Sequence, residues 1–144
     1  MARSIRRLTV DDYDDIIQVW ADAGLPYKPE GRDSRERIGC EIALDYCAFY
    51  GLYEDDRMLA VGIANFDGRR GWVNRVAVHP DFRGMKLAGE IIRECEKFLK
   101  GKGALVICGL IEDVNYPSIS CFQNQGYECL HNILYYSKRE SDDV

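Results

Sequence analysis

The stretch that decides the fold of this chain is 76–89, which reads VAVHPDFRGMKLAG. Its apolar start predicts the end of a buried strand, His79 and Pro80 end that strand, and Ala88 and Gly89 open a helix with small residues. The first four N–H groups of a helix have no partner within it, and the helix dipole gives that end a partial positive charge. Small residues in the first turn let a pyrophosphate approach the backbone. The stretch therefore predicts a strand–turn–helix unit that binds a phosphate-bearing cofactor.

Outward from this stretch, hydrophobic periodicity and turn residues predict the element order β-α-α-β-β-β-α-β-α-β-β. The first helix is predicted from a Thr9–Asp12 capping box to Gly24, and the second begins with Asp33 and Glu36. The third spans about 84–100, and the fourth begins near Pro117 and ends at Gly126. The predicted strands are 4–8, 48–53, 59–66, 72–78, 104–111, 127–130 and 133–137.

These elements predict a single-domain, mixed and mostly antiparallel α/β sheet with helices on both faces. Short turns make 48–78 an antiparallel meander, whereas the strand–helix–strand unit 72–111 is expected to be parallel. The unbroken apolar run 104–111 predicts a central strand that is covered on both faces. We expect the domain to span 1–137 and to be followed by a polar tail, 138–144.

Composition excludes several classes of function. The net charge of −5 over 144 residues disfavours a nucleic-acid binder. The longest apolar run, 104–111, is too short to span a membrane, and no apolar segment follows the basic N-terminus, so neither a membrane anchor nor a signal peptide is expected. The six cysteines form no CxxC pair, which predicts no metal site, reduced thiols and a cytoplasmic protein.

A second motif lies at 115–127, NYPSISCFQNQGY. Together with 75–84, RVAVHPDFRG, it resembles the GCN5-related N-acetyltransferases (GNAT family). The family pattern Arg/Gln-x-x-Gly-x-Gly/Ala corresponds here to Arg83, Lys86 and Ala88. The later family pattern Asn-x-x-Ala-x-x-Leu-Tyr-x-x-x-Gly-Phe is matched on or near Asn115, Ser118, Gly126 and Tyr127. The predicted element order is similar to that of the family over nearly the whole chain.

The resemblance implies an acetyltransferase that uses acetyl-CoA as its co-substrate and needs no metal. Backbone N–H groups from about Arg83 to Ala88 would hold the pyrophosphate, and the backbone of Val76 and Val78 would meet the pantetheine arm and the acetyl carbonyl. The residues expected to bind the co-substrate are Val76, Ala77, Val78, Arg83, Gly84, Met85, Lys86, Leu87, Ala88, Gly89, Asn115, Ser118 and Phe122.

Lys86 departs from the family pattern, which has glycine there. Its side chain either points outward or toward phosphate and leaves the backbone site intact, or its bulk weakens CoA binding. The first interpretation is favoured because such loops act mainly through main-chain donors.

Acetyl transfer to an amine needs a base, a donor to the developing oxyanion and an acid for the leaving thiolate. By resemblance, the N–H of Val78 is the oxyanion donor. The tyrosine that usually serves as acid corresponds to Phe122, which has no proton to give, so Cys121, Ser118 and Tyr116 are the nearby substitutes. Because a thiol has a pKa of about 8.5, the thiolate leaves readily and loss of the acid need not abolish transfer.

The base is open, since 72–75 contains no carboxylate. Glu54, Asp67, Glu112 and Asp113 lie at other strand ends, and a water chain is an equal alternative. By resemblance, the loop 25–33 lines the acceptor site.

In that loop Tyr27, Lys28 and Arg32 could bind an aromatic or acidic substrate; the alternative is a solvated surface loop. The expected acceptor is a small-molecule amine, a peptide or protein N-terminus, or a lysine, and a homodimer is considered. A catalytically weak or inactive acyl-CoA sensor is the alternative function, whereas a nucleotide-binding domain lacks a P-loop or a full GxGxxG.

Overall fold

The computed structural model describes residues 2–142 and 144; Met1 of the predicted domain and Asp143 of the predicted tail lie outside the described residues. Short 3₁₀ turns at Val10–Asp12 and Pro80–Phe82 precede two of the helices. The other elements are β1 (Arg3–Arg7), α1 (Tyr13–Ala23), α2 (Arg35–Ile42), β2 (Cys47–Glu54), β3 (Arg57–Phe66), β4 (Arg70–Val78), α3 (Leu87–Lys102), β5 (Val106–Cys108) and α4 (Tyr116–Asn124).

The described residues form a sheet of five strands in the order β1-β2-β3-β4-β5. Strands β1 to β4 pair antiparallel, and β5 is parallel to β4. The predicted mixed, mostly antiparallel sheet in a single domain is therefore confirmed.

The helices cover both faces of the sheet. On one face, Ile16 and Trp20 of α1 and Ile38 of α2 are buried in a cluster with Phe49 and Val61 of the sheet. On the other face, α3 buries one stripe of its surface against the sheet, with Leu87, Ile91, Ile92, Cys95 and Leu99 all 2% exposed or less. This arrangement follows from helical spacing, which places such residues on one side of α3.

The start of α1 was predicted correctly from its local capping signals, whereas the cap of α2 was not. The Thr9–Asp12 capping box forms, and α1 ends at Gly24, whose φ of +75° favours glycine. The second helix begins at Ser34, not at Asp33, because the Ser34 hydroxyl accepts a hydrogen bond from the N–H of Arg37. Asp33 is instead buried in the site described below.

The third helix starts later than predicted. Gly84 and Lys86 have φ values of +82° and +63°, so neither fits a right-handed helix and α3 begins at Leu87. The turn 83–86 is thereby kept as an irregular loop between β4 and α3.

The prediction of the C-terminal strands is wrong. The run 104–111 contributes only the three residues of β5, at the edge of the sheet, and Leu105 is 96% exposed. Residues 127–130 and 133–137 form no strand. Apolar alternation becomes a strand only where a neighbour supplies hydrogen bonds, and none of the described residues pairs with the outer edge of β5. Within residues 2–142, no helix has the length and apolar character needed to cross a bilayer.

Candidate active site

A gap between β4 and β5 creates the site. The two strands pair only where Arg70–Trp72 meets Val106–Cys108, so the edge of β4 from Val73 to Val78 has no described strand beside it. Two adjoining cavities occupy this gap, and α3 and α4 bound the larger one.

The larger cavity has a volume of about 620 Å³ and an unbalanced charge. Arg83, Lys86 and Arg93 line it, and none of the described residues lining it is acidic. Such a wall suits an anion with several charges. The residues brought together here from the sequence predictions are Val76, Ala77, Val78, Arg83, Gly84, Lys86, Leu87, Ala88, Gly89, Asn115, Ser118, Cys121 and Phe122.

Met85 does not line this cavity, although it was predicted to bind the co-substrate. It is 49% exposed, and its sulfur lies 3.5 Å from a guanidinium nitrogen of Arg3. Spacing along the loop did not reveal this, because the left-handed residues on both sides of Met85 turn its side chain toward β1.

The start of α3 faces the larger cavity with open hydrogen-bond donors. The Lys86 side chain makes no capping hydrogen bond to α3 with the residues that the structure describes, so the N–H groups of the first turn are left for another acceptor. That turn also packs closely on the end of α4, since a Cβ at Gly89 would lie 2.7 Å from Nε2 of Gln125. Helix packing is therefore a second reason for small residues here, beside the anion access that the sequence predicts.

Lys86 adopts the left-handed backbone conformation. A φ of +63° explains why glycine suits this position, and a lysine adopts it at a cost of about 1 kcal/mol. The loop therefore keeps its shape with the larger residue, and Lys86 lines the cavity as one of its three cations.

Strand register directs the N–H of Val78 into the gap. His79 donates its N–H to the carbonyl of Leu59 at 2.8 Å, so residues 59 and 79 form a hydrogen-bonded pair. The neighbouring pair, Ala60 and Val78, is then a non-hydrogen-bonded pair, in which the backbone groups point away from the partner strand. The N–H of Val78 therefore points toward the open edge of β4.

The smaller cavity, of about 410 Å³, lies against the larger one. Phe122 stands between the two; it is 6% exposed and packs edge-to-face on Tyr127 at 4.9 Å. The two cavities therefore adjoin at this ring. Both cavities share the wall residues Ala23, Leu25, Val76, Asn115, Ser118 and Phe122.

A buried ion pair supports the smaller cavity. Asp33 is 2% exposed and accepts hydrogen bonds from both terminal nitrogens of Arg75 and from the N–H of Lys28. Arg75 also donates to the carbonyl of Pro26 at 2.9 Å, and its guanidinium lies 3.9 Å from the ring centroid of Trp20. The pair thus joins the loop 25–33 to β4.

Electrostatics keep this pair charged. Burial alone would raise the pKa of Asp33, but the hydrogen bonds from Arg75 and from Lys28 outweigh it and hold that pKa below its ordinary value. Arg75 itself sits at a β-bulge with a φ of +53°, where the β3–β4 register shifts. Sequence reasoning missed this role for Asp33; the better helix cap at Ser34 was the available signal.

The predicted acceptor residues separate in the structure. Arg32 lines the smaller cavity. Tyr27 packs against the hydrophobic core on the α1 side of the sheet. The backbone N–H of Lys28 donates a hydrogen bond to the carboxylate of Asp33. Neither Tyr27 nor Lys28 lines either cavity.

Of the four candidate bases, only Glu112 lines a cavity, the smaller one. Glu54 pairs with Arg3 at 3.2 Å. Asp67 accepts hydrogen bonds from Trp72 and from two turn N–H groups, which lower its pKa to about 2. Asp113 is exposed and lines neither cavity.

The substitutes for the missing tyrosine differ in the same way. Cys121 lines the larger cavity, and burial raises the pKa of its thiol. Ser118 lines both cavities, whereas Tyr116 is 68% exposed and lines neither.

Comparison with known proteins identifies the family. The model of the acetyltransferase (GNAT) family matches residues 7–127. The chain belongs to the GNAT acetyltransferase family. This membership confirms the predicted family, an acetyltransferase, and acetyl-CoA as its co-substrate.

Relatives of this GNAT chain cover nearly its full length. An acetyltransferase of Sodalis glossinidius (strain morsitans) is 26% identical over 141 residues, 96% of each chain. The fold is similar to that of the PaiA N-acetyltransferase of Thermoplasma acidophilum in complex with coenzyme A, with a TM-score of 0.78, 20% identity and coverage of 89% and 91%. It is also similar to the aminoglycoside N-acetyltransferase AAC(6')-Iy in complex with a CoA bisubstrate analogue, with a TM-score of 0.79, 18% identity and coverage of 96% and 99%.

Proposed function

We propose that this protein transfers the acetyl group of acetyl-CoA to a primary amine by direct attack, without a covalent enzyme intermediate. One observation carries the proposal: the uncapped start of α3 faces a cavity with three cationic and no acidic described side chains, and this cavity adjoins a second one. The first suits a polyphosphate and the second a small acceptor.

Different residues of the larger cavity bind different parts of acetyl-CoA. The N–H groups of the first turn of α3 and the cations Arg83, Lys86 and Arg93 hold the pyrophosphate. The backbone of Val76 and Val78 holds the pantetheine arm and the carbonyl. Phe122 provides an apolar surface beside the sulfur.

Acetyl-CoA supplies the acetyl group as a thioester. Val78 donates its N–H to the carbonyl oxygen, where negative charge develops as the C–N bond forms. That charge returns to the carbonyl bond as the C–S bond breaks and CoA leaves as a thiolate, which then takes a proton. A fixed donor at this point favours the transition state over the bound substrate.

Glu112 is our candidate base, because it alone among the four carboxylates considered lines the cavity for the amine. It accepts the ammonium proton, directly or through water, before attack. Cys121 is our candidate acid on position alone. Since burial raises its pKa, the thiol gives up its proton reluctantly, and we expect only a modest contribution from it.

The acceptor we propose is a small-molecule amine, as for the aminoglycoside enzymes that share this fold. The cavity of about 410 Å³ accommodates a small amine or one end residue of a chain. The alternative acceptors are larger: peptide or protein N-termini and lysine side chains. Their acetylation should be compared with that of small-molecule amines.

We also propose a homodimer, a cytoplasmic location and a domain boundary at residue 137. Leu130, Ile133, Leu134, Tyr135 and Tyr136 are each 62–86% exposed, and no described strand pairs with the outer edge of β5. A second copy would remove this apolar surface from water. Sedimentation of the intact chain at several concentrations tests the dimer, and a monomer throughout would contradict it.

The proposed cytoplasmic location rests on the six free thiols, which favour a reducing compartment.

Two measurements test the proposed activity. Acetyl-CoA at 1,000-fold its Kd should stabilise the folded protein by about 4 kcal/mol, seen as a rise in Tm. Thiol release should then depend on an added amine, with the acetylated amine identified by mass. A rise in Tm without turnover on any amine would favour acyl-CoA binding or sensing, and no rise would contradict the cavity assignment.

A further inference from the structure

The smaller cavity carries an asymmetric set of charges. Its charged lining residues are Arg32, Arg75 and Glu112. The two arginines lie on the side of the loop 25–33 and β4, whereas Glu112 comes from the connection between β5 and α4. The cavity thus takes its positive charges and its lining carboxylate from different segments of the chain.

Arg75 is already fully engaged. Its two terminal nitrogens bind Asp33 and the carbonyl of Pro26, and its face stacks on Trp20. Its side chain is 22% exposed. Arg75 therefore holds the cavity wall and has little capacity left for a ligand.

Arg32 has that capacity. Its Nε lies 3.4 Å from Oδ2 of Asp33, and within the described residues its two terminal nitrogens have no hydrogen-bond partner. One carboxylate, Asp33, is shared by two guanidinium groups, so these three residues together keep a net charge of +1. A planar guanidinium with two free N–H₂ groups is the side chain best shaped for a carboxylate.

On the basis of the acetyl transfer proposed above, we propose that the acceptor is an amine that also carries a carboxylate, as amino acids do, and that Arg32 binds this carboxylate. Its ammonium group then lies toward Glu112, which takes the proton. The rest of the wall is mainly apolar, with Leu25, Val73 and Ile111 among its residues, and suits a hydrocarbon side chain.

The same charges disfavour a polycation. An acceptor with several ammonium groups would bring them next to two guanidinium groups, and Glu112 is the one carboxylate among the described lining residues. Asp33 is already paired, and Glu41, which interacts electrostatically with Arg75 and Asp33, does not line the cavity. The charge of the acceptor is therefore expected to differ from that of an aminoglycoside, although the fold is shared.

Matched acceptors test this inference on the intact protein. Each amino acid is paired with its amide, for example L-leucine with L-leucinamide and β-alanine with β-alaninamide, and an aminoglycoside and spermidine serve as polycations. Thiol release gives kcat/KM at one pH, corrected for the fraction of free amine. We expect the carboxylates to be preferred by at least about tenfold.

Variants connect the preference to Arg32. Arg32→Gln should remove the preference mainly through KM of the carboxylate acceptors, leaving KM of acetyl-CoA unchanged, and Arg32→Lys should restore part of it. Arg37→Gln, an exposed charge on α2 outside both cavities, should retain it in full. If Arg32→Gln fails to fold, the Arg32→Lys comparison and the wild-type panel still decide.

Equal rates on acids and amides, preference for the polycations, or a preference that survives in Arg32→Gln would each overturn the inference while leaving the proposed transfer intact. No turnover on any amine, with a normal rise in Tm with acetyl-CoA, would overturn both.

Discussion

The two adjoining cavities are built on different principles. The larger one draws most of its lining from 76–93, a single stretch of sequence, and offers backbone N–H groups and cations. The smaller one gathers side chains from 23–32, 73–76 and 110–122, which meet only after folding. Backbone donors at a helix start work with many side chains, whereas a side-chain cavity changes with each substitution. The donor side can therefore be general to a family while the acceptor side is particular to one chain.

Removing the backbone donor at the junction is expected to give the largest effect. Val78→Pro deletes the N–H that points to the gap and leaves the β3–β4 ladder intact, since this pair makes no ladder hydrogen bond. We expect kcat to fall by about 10²–10³, or ~2.7–4 kcal/mol, with KM for acetyl-CoA nearly constant. Val78→Ala keeps the N–H and serves as control. Steady-state kinetics on both variants decides, and an active, folded Val78→Pro would remove Val78 as oxyanion donor.

On the acceptor side, loss of the buried ion pair between Asp33 and Arg75 is expected to have the largest effect. Asp33→Asn leaves Arg75, only 22% exposed, without its counter-charge. Breaking a buried ion pair costs about 3 kcal/mol of unfolding free energy, and the displaced loop should raise KM for the amine but not for acetyl-CoA. Asp14→Asn is the matched control, because Asp14 is 86% exposed in its pair with Arg35 and should cost about 0–1 kcal/mol. Urea unfolding compares them; equal losses would show that burial does not matter here.

The same pair has a pH signature. The pKa of Asp33 lies below its ordinary value in the folded protein, so its contribution to stability is present above the unfolded pKa of about 3.9 and is lost as the pH falls through the folded pKa. The stability gap between wild type and Asp33→Asn should be constant from pH 5 to 8 and shrink below about pH 4. Urea titrations across this range measure it, and a gap that widens on acidification would contradict the assignment.

The contrast also explains what could be predicted from the sequence. Local signals predicted the meander, the capping box at Thr9 and the end of β4 before His79 and Pro80, because each depends on residues within a few positions of one another. They did not predict the contact between Asp33 and Arg75, which are 42 residues apart. The apolar pattern of 127–137 predicted two strands that do not form, and its apolar side chains from Leu130 to Tyr136 stay 62–86% exposed, because the pattern could not say which strand would pair with it.

The charge of the larger cavity can be tested without disturbing the fold. Ala88→Glu places a carboxylate in the first turn of α3, where it favours the helix but repels a bound phosphate. We expect Kd for CoA to rise about 10- to 100-fold, or ~1.4–2.8 kcal/mol, with no loss in the Tm of the free protein. Ala88→Gln has the same size without the charge, so the difference between the two variants isolates electrostatics. Calorimetric titration gives both constants, and equal values would mean that phosphate binds elsewhere.

Lys86 gives the smallest effect and decides between the two interpretations of its departure from glycine. Lys86→Met removes the charge but keeps the left-handed strain, whereas Lys86→Gly removes both. Relief of about 1 kcal/mol of strain is largely offset by the greater entropy of unfolded glycine, so Lys86→Gly should be more stable than Lys86→Met by about 0.5 kcal/mol or less. If the side chain helps to hold phosphate, both variants should bind CoA about 3–5-fold more weakly than wild type, as for a partly exposed ion pair. If its bulk obstructs the cavity, Lys86→Gly alone should bind more tightly, because only glycine clears the space beside the first turn of α3.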